Sequence, residues 1–231
     1  MTISKRFVAP ALPLPTDEYD AQQQLNIIRA LRLYFNLLDD YTANTLLDAL
    51  NGGLGGNGIT FPHIAASDST DQYAGGNDTP TLVNWNTLDS GYLWTLNSPG
   101  SATADVAGVY KITYSLQFIN TANDIHYATV WLKINGITDV ANSATKFMIP
   151  ARKSATPGEE GFICAYSEVT FTVAVGDTIE LYWATDLAYN STGPVDGVYM
   201  LHDVAQTLPY ARPAIPSAVG SITYVSAIPP A

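Results

Sequence analysis

The chain has 231 residues, of which 13% are charged, and a formal net charge of −11. Its 10 lysines and arginines form no basic stripe, which argues against a nucleic-acid partner because that recognition depends on clustered basic side chains. No apolar run approaches the ~18 residues of a membrane span, so the sequence also argues against a membrane-spanning protein.

The first segment, residues 1–20, is rich in proline and includes APALPLPTDEYD. Alternating prolines block a helix and favour an extended, polyproline-like chain. The basic start is not followed by an unbroken apolar stretch and a small-residue cleavage site, so we predict no secretory signal and synthesis in the cytoplasm. We predict that this segment is an extended docking arm, held in place by a partner surface.

Residues 21–50 form the only segment with a clear helical period. Its apolar side chains recur every three or four positions, as in the seam of a coiled coil. The members of this seam are Ile28, Leu31, Phe35 and Leu38. A seam of about two heptads is too short to hold a coiled coil alone. The segment is therefore either a core helix of one domain or a short helical anchor that helps a trimer to form.

Residues 51–80 are predicted to be a glycine-rich linker and loop. Gly53, Gly55 and Gly58 match G-x-G-x-x-G, the spacing of a dinucleotide-binding loop. That fingerprint requires a strand before it and a helix after it. Here the helical segment precedes the glycines, and ITFPHIAAS, which contains a proline, follows them. We therefore assign the match to chance and predict that the three glycines are a hinge.

Residues 81–206 change to a period of two, which is typical of strands with one buried face. The clearest strand places five apolar side chains on one face: Tyr110, Ile112, Tyr114, Leu116 and Phe118. Asn135-Gly136 is a strong hairpin signal, and Gly176-Asp177 marks a second turn. About eight strands separated by turns predict a β-sandwich.

The opposite faces of these strands also carry aromatic side chains. Tyr127 and Trp131 share one face of a strand, and Tyr182 lies beside Trp183 on another. Aromatic residues are enriched in subunit interfaces, so we favour an interface over scattered surface aromatics. The last segment, residues 207–231, is a proline-rich tail in which SITYVSAI is a candidate final strand.

The sequence contains no pattern that predicts catalysis or a cofactor. The histidines at 63, 126 and 202 share no metal-binding spacing, and no G-x-S-x-G nucleophile motif occurs. Cys164 lies in the apolar stretch GFICAYSEV and is predicted to be a buried, unreactive thiol. We predict a non-enzymatic protein without a metal or cofactor. An enzyme acting on polysaccharide, which would need two carboxylates in a cleft, stays open as a rival, as does a monomeric ligand-binding module.

Three segments resemble the jelly rolls of the tumour-necrosis-factor and complement globular-head family. They are AGVYKITYSLQF, VWLKINGI and VTFTVAVGDTIELYWA, which carry Gly108-x-Tyr110, Asn135-Gly136 and Gly176-Asp177 in the order of that family. The resemblance implies a homotrimer that associates through aromatic residues of one sheet. The candidates here are Tyr110, Tyr127, Trp131 and Tyr182.

Other segments resemble virion structural proteins of tailed bacteriophages from marine and cyanobacterial hosts. They are LPTDEYDAQQQLNIIRALRLYFNLLD, ANSATKFMIPARKS and GDTIELYWAT. The resemblance implies a trimeric virion appendage that contacts other virion proteins through its N-terminal arm. We expect a capsid decoration protein or head fibre. The alternative is a tail or neck fibre that recognises host surface glycans through loops 121–126, 154–161 and 186–196.

Overall fold

The computed structural model describes residues 24–25, 27–36, 61–97, 99–156, 158–190 and 196–228. The chain divides into two units, Met1–Thr60 and Phe61–Ala231. The described residues of the first unit are all helical, which confirms the short helix. The predicted arm at 1–20 lies outside the described residues.

The second unit is built from strands, which confirms the prediction of a mainly β protein. In chain order they are β1 (His63–Asp68), β2 (Gln72–Tyr73), β3 (Thr81–Leu82), β4 (Thr87–Tyr92), β5 (Trp94–Asn97), β6 (Ser101–Ala104), β7 (Gly108–Asn120), β8 (His126–Ile134), β9 (Thr138–Asp139), β10 (Thr145–Ile149), β11 (Gly161–Val173), β12 (Thr178–Thr185), β13 (Val198–Met200) and β14 (Ala218–Ser226).

These strands form two antiparallel sheets. The first sheet has the order β4-β1-β14-β7-β11, and β13 continues the line of β14 along the end of β7, with β2 beside it. The second sheet has the order β10-β8-β12-β6-β5, with β3 and β9 added to β12 and β8. Each sheet mixes strands from both halves of the unit, as in a jelly roll. The predicted jelly-roll sandwich is therefore confirmed.

The core lies between the two sheets and is centred on β7. The inward side chains of β7 from Tyr110 to Phe118 are buried, whereas those on the alternate positions are half-buried, as the period of two predicts. The ring of Phe118 lies 5.3 Å from that of Trp183 on the opposite sheet. Burial of such large aromatic side chains supplies much of the free energy that holds two sheets together.

The sandwich extends beyond the predicted limits of 81–206. Strand β1 precedes them, and β14 lies within the predicted tail, yet the two pair with each other inside the first sheet. The sequence HIAASD of β1 has alanines where a strong alternation would show large apolar side chains, which explains why its strand was not predicted. The candidate final strand SITYVSAI is confirmed by β14. A Cβ on Gly220 of β14 would lie 2.6 Å from the ring of Trp85, so this strand requires a glycine there.

The predicted hairpin turn is also confirmed. Asn135 and Gly136 both have positive φ, 55° and 68°, the backbone of a tight turn between paired strands. The Asn135 side chain then reaches the second predicted turn: its Nδ2 donates to Asp177 Oδ1 at 2.9 Å, and its Oδ1 accepts from the Thr178 N–H at 2.8 Å. The two turns therefore support each other at one end of the second sheet.

The sandwich has an entry end and a loop end. The chain enters at Phe61, whose ring stacks on Tyr224 at 6.2 Å, and β14 finishes beside Val109 at the start of β7. The connections that follow β7 and precede β11 and β13 lie at the other end, beside Asn120. The 13 residues of β7 span about 40 Å, so these two ends are well separated.

Candidate functional site

The outer face of the first sheet carries few charges. It is formed by the outward side chains of β7 and of its neighbours β11 and β14, at the following positions: Thr113, Ser115, Gln117, Phe162, Cys164, Tyr166, Val219, Ser221 and Thr223. At its margin, Lys111 and Glu168 neutralise each other in an ion pair of 3.4 Å. Tyr166 and Phe162 are 59% and 49% exposed. A flat, uncharged face with exposed aromatic rings has the composition of a subunit interface.

One margin of this face is an unusually long edge strand. Strand β11 pairs with β7 over 13 residues, and within the described residues no strand pairs with its other edge. A long edge strand presents unpaired N–H and C=O groups and is normally covered or blunted by charge. Its outward side chains, Phe162 and Tyr166, are aromatic instead. This edge therefore favours a covering partner.

The outer face of the second sheet is different, because its aromatic rings already have partners within the chain. Trp131 stacks on Tyr182 at 6.1 Å and donates its Nε1–H to Asp139 at 2.9 Å. Lys133 lies over the Tyr182 ring at 5.2 Å, and Lys146 over the Tyr127 ring at 4.2 Å. Interactions of this kind fix the rings in place and surround them with charge. This face is less suited to bury against a second chain.

The predicted interface residues are thus distributed over several environments. Tyr110 is fully buried between the sheets, with its hydroxyl donating to the carbonyl of Val106 at 2.9 Å, so it has no surface to offer and the prediction for it is corrected. Ile28 and Phe35 are 46% and 55% exposed on the helix, and Leu31 is half-buried. Leu38 and the hinge residues Gly53, Gly55 and Gly58 lie outside the described residues.

The sequence analysis missed the aromatic side chains of β11. It also predicted that Cys164 is buried, whereas the thiol is exposed, with its Sγ 3.1 Å from Ser115 Oγ. The signal was present, since Phe162, Cys164 and Tyr166 alternate with Gly161, Ile163 and Ala165. The alternation was assigned to the wrong face, and a shift of one residue inverts every side chain of a strand.

A cluster of three tyrosines lies at the loop end of the first sheet. The rings of Tyr73, Tyr189 and Tyr199 contact one another with centroids 4.8–5.7 Å apart. Strand pairing brings Tyr199 opposite Tyr73, and the residues that follow β12 bring Tyr189. The Tyr73 hydroxyl donates to Asp71 Oδ2 at 3.3 Å, and Asp71 Oδ1 accepts the N–H of His202 at 2.8 Å. Tyr73 is 40% exposed, so the cluster is accessible from solvent.

The cluster changes the acidity of its own hydroxyl groups. Burial, assisted by the negative charge of Asp71 and by Tyr73, raises the pKa of Tyr199 to about 12. Burial and Asp71 also raise the pKa of Tyr73. Both shifts favour the neutral phenol, which keeps its O–H available as a hydrogen-bond donor over the whole physiological range.

We expect the protein to lose stability in alkali through Tyr199. The unfolded chain releases this proton near pH 10 and the folded chain near pH 12, so the stabilisation is complete below pH 10 and is lost as the pH rises to about 12. Tyr199→Phe should flatten this decline by up to about 2 kcal/mol, as measured by urea unfolding across that range. Tyr210→Phe, at a 65% exposed position, should keep the wild-type decline. Identical profiles for wild type and Tyr199→Phe would contradict the assignment.

A pocket of about 400 Å³ adjoins the tyrosine cluster. It is lined by Ala74, Gly75, Gly76, Asn77, Ala188, Tyr189 and Asn190. Tyr189 belongs to both the pocket and the cluster. The volume is within the roughly 300–1,000 Å³ of small-molecule sites, and the lining combines one aromatic ring with small and amide-bearing residues.

The histidines do not converge on one site. His63 contacts Ser90 Oγ at 2.9 Å through Nε2, and His126 lies 3.3 Å from Asp186 through Nδ1. Over the described part of the chain, no three His, Cys, Asp or Glu side chains are grouped so that they could hold a metal ion. The same part of the chain has no helix with the length and hydropathy to cross a membrane.

Comparison with known proteins identifies one structural likeness. No protein-family model and no curated protein sequence matches the chain. Among solved structures, the chain is similar to the globular domain of a zebrafish complement 1qA protein, with a TM-score of 0.44 and 13% identity over 72% of this chain and 99% of that chain. The jelly-roll assignment follows from the strand order and pairing of this chain itself.

Proposed function

We propose that this chain is a non-enzymatic, homotrimeric structural protein of a bacteriophage virion, displayed as a capsid decoration protein or head fibre. The observation that carries the oligomer is the outer face of the first sheet, which combines few charges, exposed Phe162 and Tyr166 and the long edge of β11. Three copies follow from the resemblance to the trimeric jelly-roll family, and the virion from the resemblance to phage structural proteins.

The size of this face is sufficient for a stable interface. Five neighbouring strands, β4, β1, β14, β7 and β11, are spaced ~4.8 Å apart and average about 30 Å in length, which gives roughly 700 Å² of projected area. A standard interface buries about 800 Å² on each partner. The exposed Ile28 and Phe35 of the helical segment would add apolar area to the same oligomer.

The proposal is tested first by mass and location. Light scattering of the full chain should give three times the 24.8 kDa of one copy. Antibody raised against the chain should label virions purified from the source of this sequence, on the head rather than the tail. A monomer in solution would contradict the trimer, and virions without the chain would contradict the virion role.

Removal of the chain from particles separates decoration from host recognition. A decoration protein stabilises the shell, so particles without it should release their DNA at a lower temperature while still adsorbing to cells. Removal of residues 1–50 should have the same effect on particles, because we assign attachment to the arm and helix. Particles of unchanged heat resistance that fail to adsorb would favour the fibre.

The second candidate is therefore a tail or neck fibre that binds the host surface. It is favoured by the tyrosine cluster and pocket, which lie at the end of the sandwich opposite the entry of the chain. That end would face outward if the particle holds the protein through its N-terminal segments. The choice between the two candidates depends on the position of the chain in the particle.

A further inference from the structure

We propose that the tyrosine cluster and the adjoining pocket form a binding site for a neutral oligosaccharide. The site consists of Tyr73, Tyr199 and Tyr189 on one side and of residues 74–77 and 188–190 on the other. The inference uses only the geometry of this end of the sandwich. It holds whether or not the chain is a trimer or belongs to a virion.

The tyrosines supply the first requirement, a rigid surface with both apolar and polar parts. A sugar ring has a face of C–H groups and a rim of hydroxyl groups, and a tyrosine offers a π face beside an O–H that donates and accepts. Each of the three rings is held by the other two, at 4.8–5.7 Å, so little conformational entropy is lost on binding. Tyr73 is 40% exposed, which leaves part of this surface open to a ligand.

The pocket supplies the second requirement, amide and backbone groups that can pair with hydroxyl groups. Asn77 and Asn190 line it, and both are exposed. Gly75 and Gly76 have no side chains, so the backbone beside them is accessible to a ligand. A pocket with one aromatic residue and this polar lining is poorly suited to an apolar ligand, because buried amide groups would lose their hydrogen bonds to water.

The pocket is also held in shape before any ligand arrives. Asn77 Oδ1 accepts the N–H of Ala188 at 2.8 Å, which ties one wall to the other. The N–H of Asp78 donates to the Thr185 carbonyl at 2.7 Å, and the N–H of Gly75 donates to Thr81 Oγ1 at 2.9 Å. Such preorganisation is what allows a shallow polar site to bind with useful affinity.

Charge selects the class of sugar. None of the residues that line the pocket or form the cluster is Lys or Arg, the side chains that normally pair with sulfate or carboxylate groups. Asp71 lies against the cluster, and the whole chain carries −11. An acidic saccharide would therefore be repelled, whereas a neutral one would not.

The test uses the full chain and a panel of oligosaccharides. The neutral probes are oligomers of glucose, galactose, mannose and N-acetylglucosamine, and the acidic probes are sialyllactose, oligogalacturonate and heparin fragments. Saturation-transfer NMR and calorimetry should show saturable binding of at least one neutral probe and none of the acidic ones. Tyr189→Ala and Tyr73→Ala should each weaken that binding by about tenfold, the loss of one aromatic contact.

Matched variants make the result decisive. Tyr73→Phe keeps the ring and should retain most of the affinity, and Tyr210→Ala removes a similarly exposed tyrosine elsewhere and should change nothing. Asn190→Trp fills the pocket from an exposed position, so it should abolish binding even if a tyrosine variant fails to fold. The proposal is overturned if no neutral probe binds saturably, if acidic probes bind equally well, or if Asn190→Trp and the tyrosine variants that fold bind as the wild type does.

Discussion

Tyr166→Glu is expected to convert the proposed trimer into monomers. Tyr166 lies in the middle of β11 opposite Ser115, at the centre of the outer face of the first sheet, and it is 59% exposed in one copy. A carboxylate buried there without a cationic partner would cost several kcal/mol at each of three interfaces. Sedimentation velocity or light scattering at micromolar concentration should show the loss of the trimer with unchanged circular dichroism.

The matched variant is Tyr127→Glu, on the outer face of the second sheet. That position is 38% exposed, and Lys146 lies 4.2 Å from its ring, so a glutamate there would have a cationic neighbour. The variant should remain a trimer. The reverse result, a trimeric Tyr166→Glu and a monomeric Tyr127→Glu, would move the interface to the second sheet, as the sequence analysis predicted.

Trp183→Ala is expected to reduce the free energy of unfolding by about 3–5 kcal/mol, the range measured when a large aromatic core residue is truncated. Trp183 is fully buried at the centre of the second sheet, and its ring lies 5.3 Å from Phe118 of the first. Its removal leaves a cavity between the sheets. Because domains are stable by only about 5–15 kcal/mol, the variant should be close to unfolding at 37 °C. Urea unfolding at a fixed protein concentration measures the change.

The control is another tryptophan on the neighbouring strand. Trp131 points outward, stacks on Tyr182 at 6.1 Å and is half-buried. Trp131→Ala removes this contact and one hydrogen bond but leaves no cavity, so we expect a loss of only about 1 kcal/mol. Equal losses at the two positions would mean that the core does not lie between the sheets as described.

The features that the sequence predicted well are local ones. The alternation of β7 identifies its strand without reference to any other part of the chain, and Asn135-Gly136 is a turn because two neighbouring residues accept positive φ. In both cases the deciding interactions lie within a few residues of one another. The class of fold follows, because a series of such strands and turns has few stable arrangements.

Orientation was harder, because alternation does not say which face is buried. The same pattern that grouped Tyr110 with Phe118 left open whether that face met the core or a partner, and the structure puts it in the core. Cys164 was misassigned for the same reason. In strands with apolar or small residues on both faces, only the packing of the second sheet decides the question.

The candidate binding site could not be predicted, because its parts are distant in sequence. Tyr73 and Tyr199 meet through the pairing of β2 with β13, two short strands that carry no alternation of their own. Tyr189 comes from a third segment and also lines the pocket. No window of the sequence contains all three rings, so only the completed topology reveals them.

The separation of the entry end from the loop end has a consequence for evolution and engineering. Phe61 and the end of β14 lie beside Val109, whereas the connections that lead into β11 and β13 lie beside Asn120. Substitutions or insertions in those connections change what the molecule presents without altering how it is tethered. Natural variation can therefore accumulate at the tip at little cost to assembly, and the same segments are the places to graft foreign peptides for display.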